Sequence, residues 1–406
     1  MHRTLILGFA ALVAAAHLAG AGRTHTDPAR AESARVAAPT FIAIGGGLED
    51  DNDAIFNQLL ARNDTNKIVI VPFASGDAKA AATRTAERFA KRRPGVTCVT
   101  LPDALDGPDA AKLAAEWIPH ADLVYFTGGD QSRITPRFLD EKGNPNAILR
   151  ALQDGQLKWA TPVGGTSAGC AVLSDPMFTG GGSESALADL PATDGEPDGD
   201  TANATPPKSG VRLGKGLGLI PDVIMDSHFL ERGRFGRMVA ALEVSNRRFG
   251  VGVNENRAVK YASGIFRGIG PQAALVVDAK DLARVGLSRR NLRISLLGDH
   301  DTLTMPNAAQ DALVELRGEP LPRLPITPPD QPKGGAWSKG VMIALLTRLA
   351  CDPTSTQRAT SDRFEIVVTA DESTRFAWRN NDPATLSVAH ARLDIIERAP
   401  APEKTP

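Results

Sequence analysis

The stretch Gly164-Gly165-Thr166-Ser167-Ala168-Gly169-Cys170 decides how the rest of the chain reads. It follows Leu157 to Val163, which has the makings of a short strand, and Ala168 to Leu173 is small and apolar enough to open a helix. A Gly-x-Ser-x-Gly at a strand-to-helix bend holds its serine on a tight turn with the hydroxyl exposed. Glycine is needed on the flanks because a side chain there would run into the adjoining strand or helix. The N–H of Ala168, first in the helix, then faces whatever Ser167 attacks and supplies half of an oxyanion hole. A glycine-rich turn with a capping serine has the same pentapeptide, so the neighbouring segments must decide between the two.

Upstream, Thr40 to Ile44, Lys67 to Pro72, Cys98 to Leu101 and Ala121 to Phe126 are short apolar runs of the buried-strand kind. They alternate with helical patterns over Asp53 to Arg62, Ala78 to Arg92 and Asp109 to Trp117. This alternation predicts an α/β chain, a mostly parallel sheet with helices on both faces. Gly45-Gly46-Gly47 lacks dinucleotide-binding spacing, and no acidic residue clearly ends the second strand, so a nucleotide site is rejected. In such sheets ligands bind beyond the carboxyl ends of the strands. Gly128-Gly129-Asp130-Gln131 and Ser167 both stand there, which offers Gly129 as the second oxyanion donor and Gln131 as a polar substrate contact. A plain turn is the alternative for Gly-Gly-Asp.

Downstream, residues 189–208 form an acidic insertion rich in Asp, Gly, Pro and Thr whose spacing fails as a calcium loop. Leu217 to Asp226 returns to a buried strand ending at Asp226-Ser227-His228-Phe229, and Arg232 to Arg247 reads as a helix. Arginines at a helix start oppose the dipole, so Arg232, Arg234 and Arg237 suggest a wall that binds carboxylates. Short strands follow over Gly250–Val253, Ala258–Tyr261, Ile265–Ile269, Ala273–Val277 and Leu292–Leu297. The proline-dense residues 319–333 read as a linker, and 334–406 as a small C-terminal extension with a helix over Val341–Leu349 and strands over Phe364–Thr369 and Leu393–Arg398.

A serine nucleophile needs a base, and the base an orienting acid. Of the seven histidines, His2, His17 and His25 precede the fold, His120 is at the wrong end of the sheet, His300 is in a turn and His390 is in the tail. Only His228 ends an apolar strand on the rim of Ser167. For the acid, Glu184 is the best-placed carboxylate between the elbow and the insertion, with Asp175 and Asp189 as further candidates.

The 406 residues, 42% hydrophobic and 23% charged with a formal net charge of −1, fit a globular chain and give no footprint for nucleic acid. Arg3, the apolar Leu5 to Leu18 and Ala19-Gly20-Ala21 read as a signal peptide over 1–21, too short to span a bilayer of ~20 residues' depth. Residues 22–38 read as a loose leader into a domain over 39–318, and the protein as secreted or periplasmic, with no membrane partner after cleavage. Three cysteines are too few for a disulfide framework, although Cys98 and Cys351 can pair in an oxidising compartment.

Phe126-Thr127-Gly128-Gly129-Asp130-Gln131, Gly165-Thr166-Ser167-Ala168-Gly169, and Asp226-x-His228-Phe229 with Arg232, Arg234 and Arg237 together resemble the cyanophycinases. These belong to the serine-peptidase family that also holds the aspartyl dipeptidases (peptidase E), and the resemblance runs from about Thr40 to Met305. It implies a flavodoxin-like fold of the class I glutamine amidotransferase kind, Ser167 as nucleophile, His228 as base and, by transfer, Glu184 as acid. It further implies that Gln131 and the three arginines bind substrate, with Asp130 and Asp226 able to receive its guanidinium. The implied reaction releases β-aspartyl-arginine dipeptides from cyanophycin, with no cofactor or metal, and a homodimer is compatible with it. Ser227 departs from the glutamine usual there, which loosens the tie to that polymer. An exported dipeptidase for other aspartyl peptides and a silent binding protein of the same fold are the other readings. An α/β-hydrolase esterase is disfavoured, because the His-Gly-Gly-Gly oxyanion loop is absent.

Overall fold

The computed structural model describes residues 38–61, 66–102, 108–189, 210–306, 310–321, 328 and 330–399. The signal-peptide reading over 1–21, nearly all of the leader, and the acidic insertion beyond Asp189 lie outside the described residues, as does much of the 319–333 linker.

A mixed α/β architecture is built on two large sheets. In the first, β1 (Thr40–Ile44), β2 (Lys67–Val71), β3 (Thr97–Thr100), β4 (Leu123–Phe126) and β5 (Val163–Thr166) run parallel in the order β1-β5-β4-β2-β3. Their apolar runs are continuous because both faces are covered. Phe41, Ala43, Val69, Val71, Val124 and Phe126 enter one core with Ile148, Leu149 and Leu152 of the Ala147–Trp159 helix. Ile42, Ile44, Ile68, Ile70, Leu123 and Tyr125 enter the opposite core with Ile55, Phe56 and Leu59 of the Asp53–Leu59 helix and Phe89 of the Ala78–Arg92 helix. A small two-stranded antiparallel sheet pairs β6 (Met177–Gly180) with β7 (Arg212–Gly214).

The second sheet contains β8 (Val223–Asp226), parallel to β9 (Phe249–Val253). The chain then returns to the first sheet as β10 (Ala258–Ala262), antiparallel to β1, and β11 (Ile265–Ile269). β12 (Ala274–Asp278), β13 (Ala283–Val285) and β14 (Ser288–Leu297) rejoin the second sheet, while β15 (Thr302–Thr304) and β16 (Leu313–Glu315) extend the first. β8 divides its side chains between layers: Val223 and Met225 join the core of the first sheet, and Ile224 faces the Phe235–Ser245 helix.

Four boundaries differ from the sequence reading. Residues 157–159 end the Ala147–Trp159 helix, and β5 is Val163–Thr166, so Gly164 and Gly165 lie within the strand. Gly165 must lack a side chain, since a Cβ on it would approach the Gly169 carbonyl to 2.2 Å; a Cβ on Gly164 would approach the Leu59 side chain to 2.6 Å and displace it. The strand read over Leu217–Asp226 shortens to β8, and the helix read over Arg232–Arg247 shortens to Phe235–Ser245. The last difference is the tail, read as a small extension with a helix and two strands, which contributes five strands to the second sheet. β17 (Glu319–Pro320), β18 (Gln357–Thr360), β19 (Phe364–Thr369), β20 (Arg375–Arg379) and the 16-residue β21 (Asp382–Glu397) all belong to the second sheet, β21 pairing with β14. With the Val341–Cys351 helix they share one core with Phe235, Met238 and Val239. Cys98, Cys170 and Cys351 are free thiols.

Candidate active site

Four strand ends meet at one place. Ser167 follows β5, Gly45 follows β1, His228 stands two residues past β8, and Glu255 stands two past β9. Backbone hydrogen bonds lock them in register: Ser167 N donates to Ile44 O at 2.9 Å, His228 N to Gly45 O at 2.7 Å, and Asn256 N to Gly46 O at 2.8 Å. Ser167 is held at φ 55°, a left-handed conformation costing a non-glycine residue on the order of 1–3 kcal/mol, and the Ala168–Ala171 helix begins at once behind it. His228 also has positive φ, at 47°.

The Ser167 Oγ lies 2.8 Å from His228 Nε2, and His228 Nδ1 lies 2.6 Å from Glu255 Oε1. Hydroxyl, imidazole and carboxylate therefore stand in hydrogen-bonded series. The imidazole packs against the glycine turn after β1: a Cβ on Gly46 would meet its ring at 2.2 Å. Burial holds the His228 pKa below the usual histidine value; the hydrogen bond that Glu255 accepts works against this, and the positive charges of Arg232 and Arg234 add to it.

The expected acid, Glu184, is elsewhere. Its Oε2 accepts from the Trp337 indole at 2.7 Å and its Oε1 from the Arg363 backbone at 2.8 Å, so it fastens the C-terminal residues to the Ser183–Ala188 helix. The alternatives are also engaged away from the imidazole. Asp175 accepts from Lys215 Nζ at 2.6 Å and from Gly216 N at 3.1 Å, while Asp189 is the C-cap residue of the Ser183–Ala188 helix. Glu255 escaped the sequence reading because the acid was sought between the serine and the histidine. The rule that singled out His228, a polar residue just past the carboxyl end of an apolar strand, applies equally to Glu255 after Gly250–Val253.

The arginines do not form one wall. Arg237 grips Asp226 with two bonds, Nε to Oδ2 at 2.9 Å and Nη2 to Oδ1 at 2.7 Å, and Arg234 Nη1 reaches the same Oδ1 at 3.2 Å. Asp226 and Arg237 are buried, and the Arg237 guanidinium also lies 4.5 Å over the Phe178 ring. Burial draws Arg234 down to about 10, still protonated at neutral pH. These three residues brace the chain behind the site, and Arg232 alone is exposed, with no hydrogen-bond partner for its side chain among the described residues. Asp130 is likewise occupied: its Oδ1 accepts from Ser132 N at 2.9 Å and from Ser132 Oγ at 2.6 Å. The Gln131 amide donates to the Phe178 carbonyl.

Gly129 has φ +142°, and a Cβ on it would meet the Ala74 carbonyl at 2.0 Å. Gly128 abuts the serine, since its own Cβ would lie 3.2 Å from that of Ser167. Ala168, as the first residue of its helix, has an N–H with no partner inside that helix.

Cyanophycinase from Synechococcus elongatus is 32% identical over 188 residues, 44% of this chain and 51% of that protein. The cyanophycinase of Trichormus variabilis is 34% identical over 188 residues, 44% of this chain and 55% of that protein. That of Geminocystis herdmanii is 27% identical over 245 residues, 58% of this chain and 80% of that protein. The chain thus spans about half the length of the first two relatives. Among solved structures, a peptidase from an acI-B1 Actinobacterium superposes with a TM-score of 0.43 at 14% identity, over 69% of this chain and 98% of that one. Residues 41–268, from β1 to the end of the first sheet's antiparallel hairpin and enclosing Ser167, His228 and Glu255, match the model of peptidase family S51, and the chain belongs to that family.

Proposed function

We propose that this chain is a serine peptidase that hydrolyses cyanophycin to β-aspartyl-arginine dipeptides through an acyl-enzyme on Ser167. The observation that carries the reading is the unbroken series Ser167 Oγ, His228 Nε2, His228 Nδ1, Glu255 Oε1 at 2.8 and 2.6 Å. In this mechanism the neutral imidazole takes the Ser167 proton as the hydroxyl attacks the carbonyl, and Glu255 holds the Nδ1–H tautomer and stabilises the imidazolium. The N–H groups of Gly129 and Ala168 receive the developing oxyanion. The imidazolium then returns the proton to the leaving amine, and water repeats the cycle on the ester. A depressed His228 pKa suits a base that must stay neutral.

Similarity to cyanophycinases supports the choice of substrate. The parallel run β1-β5-β4-β2-β3 supports the flavodoxin-like, amidotransferase-like reading of the fold. Arg3 with the apolar Leu5 to Leu18 supports export, which sequencing the N-terminus of material recovered outside the cytoplasm would test.

One observation favours a second substrate: Ser227 is short and buried, with its N–H bonded to Asp226 Oδ1 at 2.8 Å. It therefore offers little for a substrate to grip where cyanophycinases usually carry glutamine. Incubation with cyanophycin granules and, separately, with isoaspartyl dipeptides decides between them. Release of β-aspartyl-arginine from granules upholds the first reading, and cleavage confined to the small peptides replaces it with an aspartyl dipeptidase.

A further inference from the structure

A cleft of about 660 Å³ opens beside Ser167, between the strand ends and the Ala78–Arg92 helix. Thr166 and Gly128 line it, so it reaches the residues that adjoin the serine in sequence and in space. Thr127 lies in its wall, 95% buried by its 5% exposure, and its hydroxyl has no hydrogen-bond partner. A buried hydroxyl left unpaired is costly, and one lining a cleft next to a nucleophile is satisfied once a polar ligand enters.

The outer wall is one face of the helix: Ala81, Arg84, Thr85, Arg88 and Lys91 follow each other at helical spacing. Arg88 is already occupied, donating from Nε to Asp50 at 2.6 Å and from Nη2 to the Leu48 carbonyl at 2.7 Å. Arg84 and Lys91 are exposed and have no hydrogen-bond partner among the described residues. Glu87 is the acidic group of this face without a partner, and Asp50 is spent on Arg88. The cleft therefore offers cationic groups and a hydroxyl on a path to Ser167, where Arg234 and Arg237 are spent on Asp226.

We propose that this cleft is a substrate subsite for acidic peptides, in which Arg84 binds a carboxylate and the Thr127 hydroxyl bonds the peptide. The inference rests on the peptidase reading above and adds to it where the substrate's acid is held. Arginine suits the task because its planar fork meets a carboxylate with two parallel bonds.

The test is equilibrium titration of β-aspartyl-arginine into full-length Ser167→Ala protein, compared with Ser167→Ala/Arg84→Gln, Ser167→Ala/Arg84→Lys and Ser167→Ala/Thr127→Val. Binding should weaken about tenfold or more with Arg84→Gln and less with Arg84→Lys, and several-fold with Thr127→Val. A dipeptide with both carboxylates capped as amides should bind equally with and without Arg84. Equal binding of the free dipeptide to Ser167→Ala and Ser167→Ala/Arg84→Gln, or no binding at all, overturns the subsite. Fluorophosphonate labelling of the wild-type serine is read in parallel: labelling together with dipeptide binding that is indifferent to Arg84→Gln removes the subsite and leaves the peptidase reading standing, whereas no labelling removes both.

Discussion

Glu255 Oε1 stands 2.6 Å from His228 Nδ1, on the far side of the imidazole from the Ser167 hydroxyl. The two residues come from the ends of the adjacent parallel strands β8 and β9, so strand pairing itself sets their separation.

Glu255→Gln should lower kcat on the order of a hundredfold to ten-thousandfold, because an amide no longer enforces the Nδ1–H tautomer or stabilises the imidazolium. Glu184→Gln should leave kcat within about threefold and lower the melting temperature instead, since losing the carboxylate that holds Trp337 and Arg363 costs about 1–3 kcal/mol. Steady-state kinetics beside thermal unfolding checks both, and the reverse pattern would return the acid role to Glu184.

The acid limb of kcat/KM should fall at a pH below the ordinary histidine range, because burial disfavours the His228 imidazolium and Arg232 and Arg234 add to the effect. Removing a nearby cation makes protonation easier. Arg232→Gln should therefore move that limb to higher pH, whatever it does to the absolute rate. A pH–rate profile of the two proteins reads the shift, and an unmoved limb would show that Arg232 does not act on His228.

Arg237→Ala should destabilise the fold by up to about 3–5 kcal/mol, since it removes the two-bond guanidinium partner of the buried Asp226 carboxylate and leaves Oδ2 without its partner. Arg237→Lys keeps the charge and loses the fork, so most of the loss should persist. Arg232→Lys should leave stability unchanged. Denaturant unfolding separates the two arginines, and an unchanged midpoint for Arg237→Ala would make it a surface group.

Gly46→Ala should abolish most turnover while the two sheets stay folded. The residue has φ +94°, and its new Cβ would stand 2.2 Å from the His228 ring, so the imidazole must leave its place between Ser167 and Glu255. Circular dichroism with kinetics checks this, and near-normal activity would mean that the ring has another productive position.

Much of this was legible in the residues, for physical reasons that also mark where reading fails. β1, β2 and β4 announce themselves because both faces are buried and, after the first residues Thr40 and Lys67, every position is apolar; the Ala78–Arg92 helix is bounded by its Asp77 cap and Arg93-Pro94-Gly95. Ser167 and His228 stand at strand ends that hydropathy locates. Glu255 stands at another such end, and assuming that the acid comes before the histidine in the chain hid it. The partners of Arg234 and Arg237 are a matter of packing: a buried Asp226 converts an apparent carboxylate wall into an internal brace. β21 was reduced to its last residues because Ser387, His390 and Arg392 interrupt the apolar pattern of a strand that is half buried. One of its partners, β14, lies some hundred positions away, beyond the reach of local pattern, while β19 and β20 are near it in sequence.

The central claim is that Ser167 is an activated nucleophile. It is tested most directly by treating the full chain with diisopropyl fluorophosphate and locating the adduct by peptide mass spectrometry. The account predicts one stoichiometric adduct on Ser167, absent from Ser167→Ala and strongly slowed in His228→Ala. No adduct, or one on another residue, would contradict it.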